Sequence, residues 1–418
     1  MSRRRIRAGQ RLIALAVFAA FADEASWANY DSLEYAKVLT NGAVSLTSGS
    51  NWSQNVSPNS TYEAELPIGG PQTNLNLGIG NSNQSYGDLL INCDAAYNIG
   101  NYGGGSSTTY ALILAGGVDF ARAHIDGAPL NEPDLLLLGS SVAAAPAAST
   151  TVTIGNNVGA TPGTGVLNLA LGTSGDFDVV NPGATLSITS SISGPGVILT
   201  KTGAGTVILS GTGTYTGGTN VSAGTLRVDK STGVGSALVT VAVGATLGGN
   251  GSVGAVTVNG TIKAGPDDNT IGVLTSTGLQ TWAGGGGYEV KATGASADKL
   301  MMTGGLYVSA TSDDPFTITA NNTSAGSLTP GQRVTIATDA VTTNGNPFAG
   351  VNQTLVLSPD STAAATGDSL MLSTGQDAGG YELYLSDVVG APEPASLLLL
   401  GVAIAPLALG RRRPAMRR

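Results

Sequence analysis

The sequence predicts an all-β chain wound as a solenoid of short stacked strands, and three observations carry that prediction. The first is a recurring word: Gly183-Ala184-Thr185-Leu186, Gly205-Thr206-Val207, Gly224-Thr225-Leu226, Gly244-Ala245-Thr246-Leu247 and Gly260-Thr261-Ile262. A period near twenty made of short strands marks a coil that cannot bury its own apolar face and needs its neighbours. The second is alternation, since short runs of Val, Ile, Leu and Thr recur between Gly, Asn and Ser turns. The third is the lack of helix-length amphipathic patterns in a chain whose 61 glycines among 418 residues disfavour helix.

Taken in order, the chain opens on Arg3, Arg4, Arg5, Arg7 and Arg11, followed by an eleven-residue apolar stretch from Leu12 to Ala22 and then small residues. A basic region, a short apolar core and a small-residue site make a secretory signal peptide over 1–28. Ser26-Trp27-Ala28 places cleavage after Ala28, with a cut after Ala22 as the second choice. Next come strand-like runs at uneven spacing: Leu75–Ile79, Leu89–Ile91, Ala111–Leu114, Leu135–Leu138, Thr151–Ile154 and Val166–Leu169. They fit the same solenoid with longer loops on one face. At roughly twenty residues per coil, 29–310 holds about fourteen coils and a rod about 65 Å long, with the irregular part around Trp52 and Tyr62 expected to cover one end. After Ala310 the period fades, and Pro315–Thr319, Arg333–Ala337, Leu355–Leu357 and Tyr381–Leu385 make a small C-terminal β cap over 311–390.

Composition excludes several functions. Outside the two termini, 29–390 carries nine basic and twenty-five acidic residues, so the clustered Lys and Arg that phosphate neutralisation needs are missing and nucleic acid is excluded as a partner. Cys93 is the one cysteine and His124 the one histidine. No disulfide framework and no His/Cys zinc site is assembled from them, and Cys93 is expected as a small buried hydrophobe. Gly284 to Gly287 lacks the Lys-Ser or Lys-Thr and the helix of a phosphate loop and is a turn. No cofactor and no catalytic or metal residue is predicted.

At 194–228 the words become specific. Leu199-Thr200-Lys201-Thr202-Gly203-Ala204-Gly205-Thr206, followed by Tyr215-Thr216-Gly217-Gly218-Thr219 and Gly224-Thr225-Leu226-Arg227-Val228, resembles the autotransporter-associated β-strand repeat. That resemblance implies a right-handed parallel β-helix over 29–310, with inward Val, Ile and Leu in ladders. One departure matters: 311–390 is too short for the membrane β-barrel that carries autotransporter passengers, so export is expected through the general secretion machinery and signal peptidase.

The tail supplies the address. Pro392-Glu393-Pro394, an apolar run from Leu397 to Leu409, and Arg411, Arg412 and Arg413 before Arg417 and Arg418 resemble the PEP-CTERM sorting signal over 391–418. Ala395 to Gly410 would make about 24 Å of helix against a hydrocarbon core of about 30 Å, a marginal and transient transmembrane segment that the arginines hold at the cytoplasmic side. The resemblance implies processing at Pro392, Glu393 and Pro394 by an exosortase-type membrane peptidase. The expected protein is therefore secreted, sits at the cell surface or in the extracellular matrix of a Gram-negative-type bacterium after a transient inner-membrane intermediate, is not an enzyme, and acts structurally or adhesively, with extracellular polysaccharide as partner.

The rival reading is a β-helix polysaccharide lyase or hydrolase, which works through clustered carboxylates, with or without calcium. Candidate pairs are Asp176 and Asp178, Asp267 and Asp268, and Asp313 and Asp314. The last two lie in turn contexts where Asp has a local role. Asp176 and Asp178 flank Phe177 in a strand-like run and share an outward face, but Arg122, Arg227 and Arg333 all lie far from them in sequence.

Overall fold

In the strand Thr185–Ile188 the side chains alternate between half-buried and buried, and the same rhythm holds in Thr206–Leu209 and Thr225–Val228. Period-two alternation with β-branched residues gives each segment one face to bury, and the chain buries it by stacking coil on coil. A computed structural model describes nine short strand segments between 32 and 126 by their backbone. It also describes 151–155, 167–172, 175–179, 182–230, 237–267, 270–293, 296–322, 333–341, 346–348, 353–357, 369–377 and 380–388. The predicted signal peptide, the sorting segment, Trp52, Cys93 and Leu135–Leu138 lie outside the described residues.

Each coil contributes to up to three walls. The first wall is an eleven-stranded sheet running from Ser32–Tyr35 to Leu306–Val308, and the second a longer sheet whose stacked path starts at Gly42–Ser45 and ends at Gln353–Leu357. The third is made of two shorter sheets, one from Gln84–Tyr86 to Ser191–Ser193 and one that starts at Ser252–Val253. Along the stacked paths of the first two walls every pair is parallel, as in Leu199↔Thr219 and Thr206↔Thr225. The described residues are thus a β-solenoid without helix, as the sequence predicts.

Among the described residues the first wall holds eleven coils' strands, against the expected fourteen. They span about 48 Å at roughly 4.8 Å per step. The reason is coil length. One step of the wall carries the register from Leu199 to Thr219, but another carries it from Arg122 as far as Asp176, and a third from Gln280 to Leu306. A uniform period of twenty holds only near the recurring word. Tyr62, expected in an end cover, instead opens the strand Tyr62–Leu66, which pairs on both sides within the first wall.

Between the walls the interior is a set of ladders. Val152, Leu186, Val207, Leu226, Leu247, Ile262, Tyr288 and Ile318 stack in one register column, all buried. On the first wall Phe177, Lys201, Val221, Val241, Val258 and Trp282 form another. Toward the C-terminal end the ladder turns aromatic: Trp282 stacks on Phe316 with ring centroids 4.5 Å apart, and Phe348 tilts against it at 6.0 Å. Parallel stacking continues past Ala310 through Phe316–Asn322 and Gln353–Leu357. The third wall then closes differently, because Arg333–Asp339 pairs antiparallel with Gly380–Val388, which pairs antiparallel with Ser369–Asp377. A reversed hairpin over a parallel stack covers that wall's last edge, an exposed edge being a template for unwanted pairing.

Candidate functional surfaces of the solenoid

The outward faces are as regular as the core. On the second wall Thr151, Thr185, Thr206, Thr225, Thr246 and Thr261 stack in consecutive coils, all half-buried, and after Gly287 the column resumes at Thr317. The threonine of the recurring word thus falls in one column, one hydroxyl per coil. On the first wall the outward column reads Thr200, Asn220, Thr240, Thr257, Thr281 and Tyr307. At the corner leading into that wall, Ile198, Leu238 and Leu279 are 44%, 51% and 48% exposed and sit two coils apart, with Gly218 and Ala255 between them. Over these coils the columns offer many weak contacts, and on the N-terminal side of Thr200 the first-wall column continues through Asp176, Arg122 and Asp88.

Lys201 carries a role that the sequence alone does not assign. It stands inside the stack, 0% exposed. Its ammonium donates to the carbonyls of Thr202 at 2.5 Å, Gly203 at 2.8 Å and Ala223 at 3.2 Å. Two turns provide those carbonyls. Gly203 has φ +70° and Gly224 φ +61°, and a Cβ on Gly224 would lie 2.4 Å from the carbonyl oxygens of Gly203 and Gly205. Only glycine fits there. The Leu-Thr-Lys-Thr-Gly-Ala-Gly-Thr word therefore encodes a corner in which one buried cation gathers carbonyls from two successive coils. The signal that could have revealed it is a charged residue at an inward position of an alternating strand.

A second buried cation lies nearer the C-terminal end. Lys291 Nζ is 2.9 Å from Asp298 Oδ2 and donates to the Asp267 carbonyl at 2.6 Å. The Gly272 amide donates to Asp298 Oδ1 at 2.9 Å, and the Tyr288 hydroxyl sits 3.0 Å from the carbonyls of both Asp298 and Ile336. Burial pushes the Asp298 carboxyl above the ordinary carboxylate range, opposed by Lys291 and by the backbone donors. It also raises the Tyr288 hydroxyl well above its ordinary value. These buried groups tie the late coils together.

The predicted carboxylate pairs divide by setting. The Asp267 carboxylate accepts from the Thr270 amide at 2.7 Å, and the Asp314 amide donates to the Thr311 hydroxyl at 3.2 Å. Both are local turn contacts, while Asp268 lies outside the described residues. Asp176 and Asp178 are different. Parallel register sets Arg122 between Asp88 and Asp176, and the one histidine, His124, between Leu90 and Asp178. Distance along the chain hides this neighbour from the sequence, because a long excursion separates Arg122 from Asp176. Among the described residues no group of three His, Cys, Asp or Glu is gathered at metal-binding distance. Ala28, Pro392, Glu393, Pro394, Arg411, Arg412 and Arg413 lie outside the described residues, among which no helix is long and apolar enough to cross a membrane.

Residues 199–228 match the passenger-associated-transport-repeat family. Ninety residues of the chain are 34% identical to the adhesin BmaC autotransporter of Brucella suis biovar 1 (strain 1330), which is 22% of this chain and 3% of that protein. The chain thus spans about 3% of the length of this curated relative. The matched family segment holds Lys201, Gly203 and Gly224, so the buried corner lies within it. These findings define an autotransporter-like passenger repeat within a β-solenoid, compatible with an adhesive or structural surface protein.

Proposed function

We propose that the protein is an exported, non-catalytic surface solenoid that holds extracellular polysaccharide or neighbouring cells through many weak contacts along its polar walls. The observation that carries this reading is the passenger-type repeat at 199–228, set in a stack whose outward columns from Thr200 and Thr206 onward are mostly threonine and asparagine. The adhesin named among its relatives supports the same class of role. Export begins with removal of 1–28 after Ala28. It ends with recognition of Pro392-Glu393-Pro394 by an exosortase-type peptidase while the apolar run and Arg411, Arg412 and Arg413 pause in the inner membrane. The coils wind right-handed, the hand that strand twist favours for parallel crossovers. The test is co-sedimentation of the purified protein with matrix polysaccharide and with whole cells from its own organism. Binding without release of sugar products supports the reading, and absence of binding defeats it.

A second reading has one observation in its favour. The block of Asp88, Arg122, Asp176, His124 and Asp178 on adjacent strands of the first wall has the residue types of a polysaccharide lyase or hydrolase, in which acid and base must sit within reach of one sugar. A register position between two carboxylates suits Arg122 equally to an ordinary cross-strand charge pairing. Product release abolished by Asp176→Asn would establish the enzyme.

A further inference from the structure

The first wall ends out of pattern. From Thr200 to Thr281 its outward column carries short hydroxyl and amide side chains, and it closes on Tyr307, which is 58% exposed and fills no core. The strand carrying it, Leu306–Val308, is the last of its wall among the described residues, whereas the second wall runs on. Beside it lies a depression of about 400 Å³, walled by Tyr307, Leu279, Asp339, Val341, Asn346 and Pro347. That volume suits a small ligand, for which pockets of about 300–1,000 Å³ are usual.

The lining groups restrict the ligand. The Asp339 carboxylate accepts from the Val341 amide at 2.9 Å and the Leu306 amide at 3.3 Å, and each oxygen keeps a lone pair for a further donor. The Asn346 carbonyl accepts from the Phe348 amide at 2.9 Å, which fixes the side chain and leaves its NH₂ as donor. Among the described residues no Lys or Arg lines the depression, so an anionic ligand would meet Asp339 without a counter-charge there. An added peptide strand fits poorly too, because the Leu306 amide it would pair with already binds Asp339. What remains is a ligand with one flat apolar face for Tyr307, a rim that both donates and accepts, and no negative charge.

We propose that this depression is a subsite for a neutral pyranose unit, with Tyr307 as the stacking platform and Asp339 and Asn346 holding ring hydroxyls. The proposal rests on the polysaccharide-binding reading and adds to it the place and the class of sugar. Calorimetric titration of the full-length chain with cellohexaose, maltohexaose and mannohexaose, against hexagalacturonate and a chitosan hexamer, tests it. At least one neutral hexamer binds saturably, and hexagalacturonate binds at least tenfold more weakly. Tyr307→Ala weakens the neutral sugar at least tenfold with an unchanged circular dichroism spectrum and melting point, and Tyr307→Phe restores it to within about threefold. Unchanged affinity in Tyr307→Ala, equal affinity for hexagalacturonate, or preference for the chitosan hexamer overturns the proposal. Co-sedimentation with matrix polysaccharide but no binding of any neutral hexamer also overturns it and leaves the functional reading standing. Failure of both defeats the two together.

Discussion

Lys201 shows how one residue sets a corner. Its ammonium satisfies three carbonyls away from water, and buried acceptors stripped of their donor cost about 1–3 kcal/mol. Lys201→Met, which keeps the stem and removes the charge, is expected to lower unfolding stability by about 3 kcal/mol in urea titration; a midpoint within error of wild type would show that the carbonyls find other donors. Gly224→Ala acts on the same corner through sterics, since φ +61° and two carbonyl oxygens 2.4 Å from a new Cβ leave no room. It should cost at least about 2 kcal/mol. Titration adds a further residue-scale effect. Burial pushes the carboxyls of Asp298 and Asp339 above the ordinary carboxylate range, so in that window the native chain holds protons that the unfolded chain has released. Their contribution to stability therefore grows as pH falls through the folded values toward the ordinary carboxylate range, and shrinks as pH rises. Melting curves followed from pH 7 down to the ordinary carboxylate range should show Asp339→Asn with a flatter pH dependence than wild type, whatever its absolute stability.

At the scale of the strand, stability comes from ladders rather than from any one coil. Leu226 is buried between Val207 below and Leu247 above, so Leu226→Ala leaves a cavity and should cost about 3 kcal/mol in a urea unfolding midpoint. Thr225→Ala on the outward face of the same strand should cost under about 1 kcal/mol. A large loss at Thr225 would mean that the hydroxyl column holds the stack together. The recurring word made this register legible in advance: Thr185, Thr206, Thr225, Thr246 and Thr261 belong to five copies of it and stack in that order. What local sequence could not show was any neighbour created by a long excursion. Arg122 reaches Asp176 across a stretch with no shared word. For Lys201 the inward position in an alternating strand was legible, but the carbonyls that hold it were not, because they are delivered by turns in two coils. The depression beside Tyr307 joins residues as distant as Leu279 and Pro347, which no periodicity links.

Among the described residues a repetitive parallel stack gives way to an antiparallel arrangement toward the C-terminal end. Repetition gives two long parallel walls, a mostly apolar interior and outward columns with one side chain per coil. The antiparallel hairpin of Ser369–Asp377 and Gly380–Val388 breaks the repeat where an open edge would invite further stacking. The proposed export of a surface solenoid is consistent with both the passenger-type repeat and the acidic body. The measurement that tests this most directly is mass spectrometry of both termini of the protein recovered from the surface and medium of its own cells. The account predicts a chain that begins near Asn29 and stops near Pro392. A protein that still carries Met1 and Arg418 and remains inside the cell would contradict it.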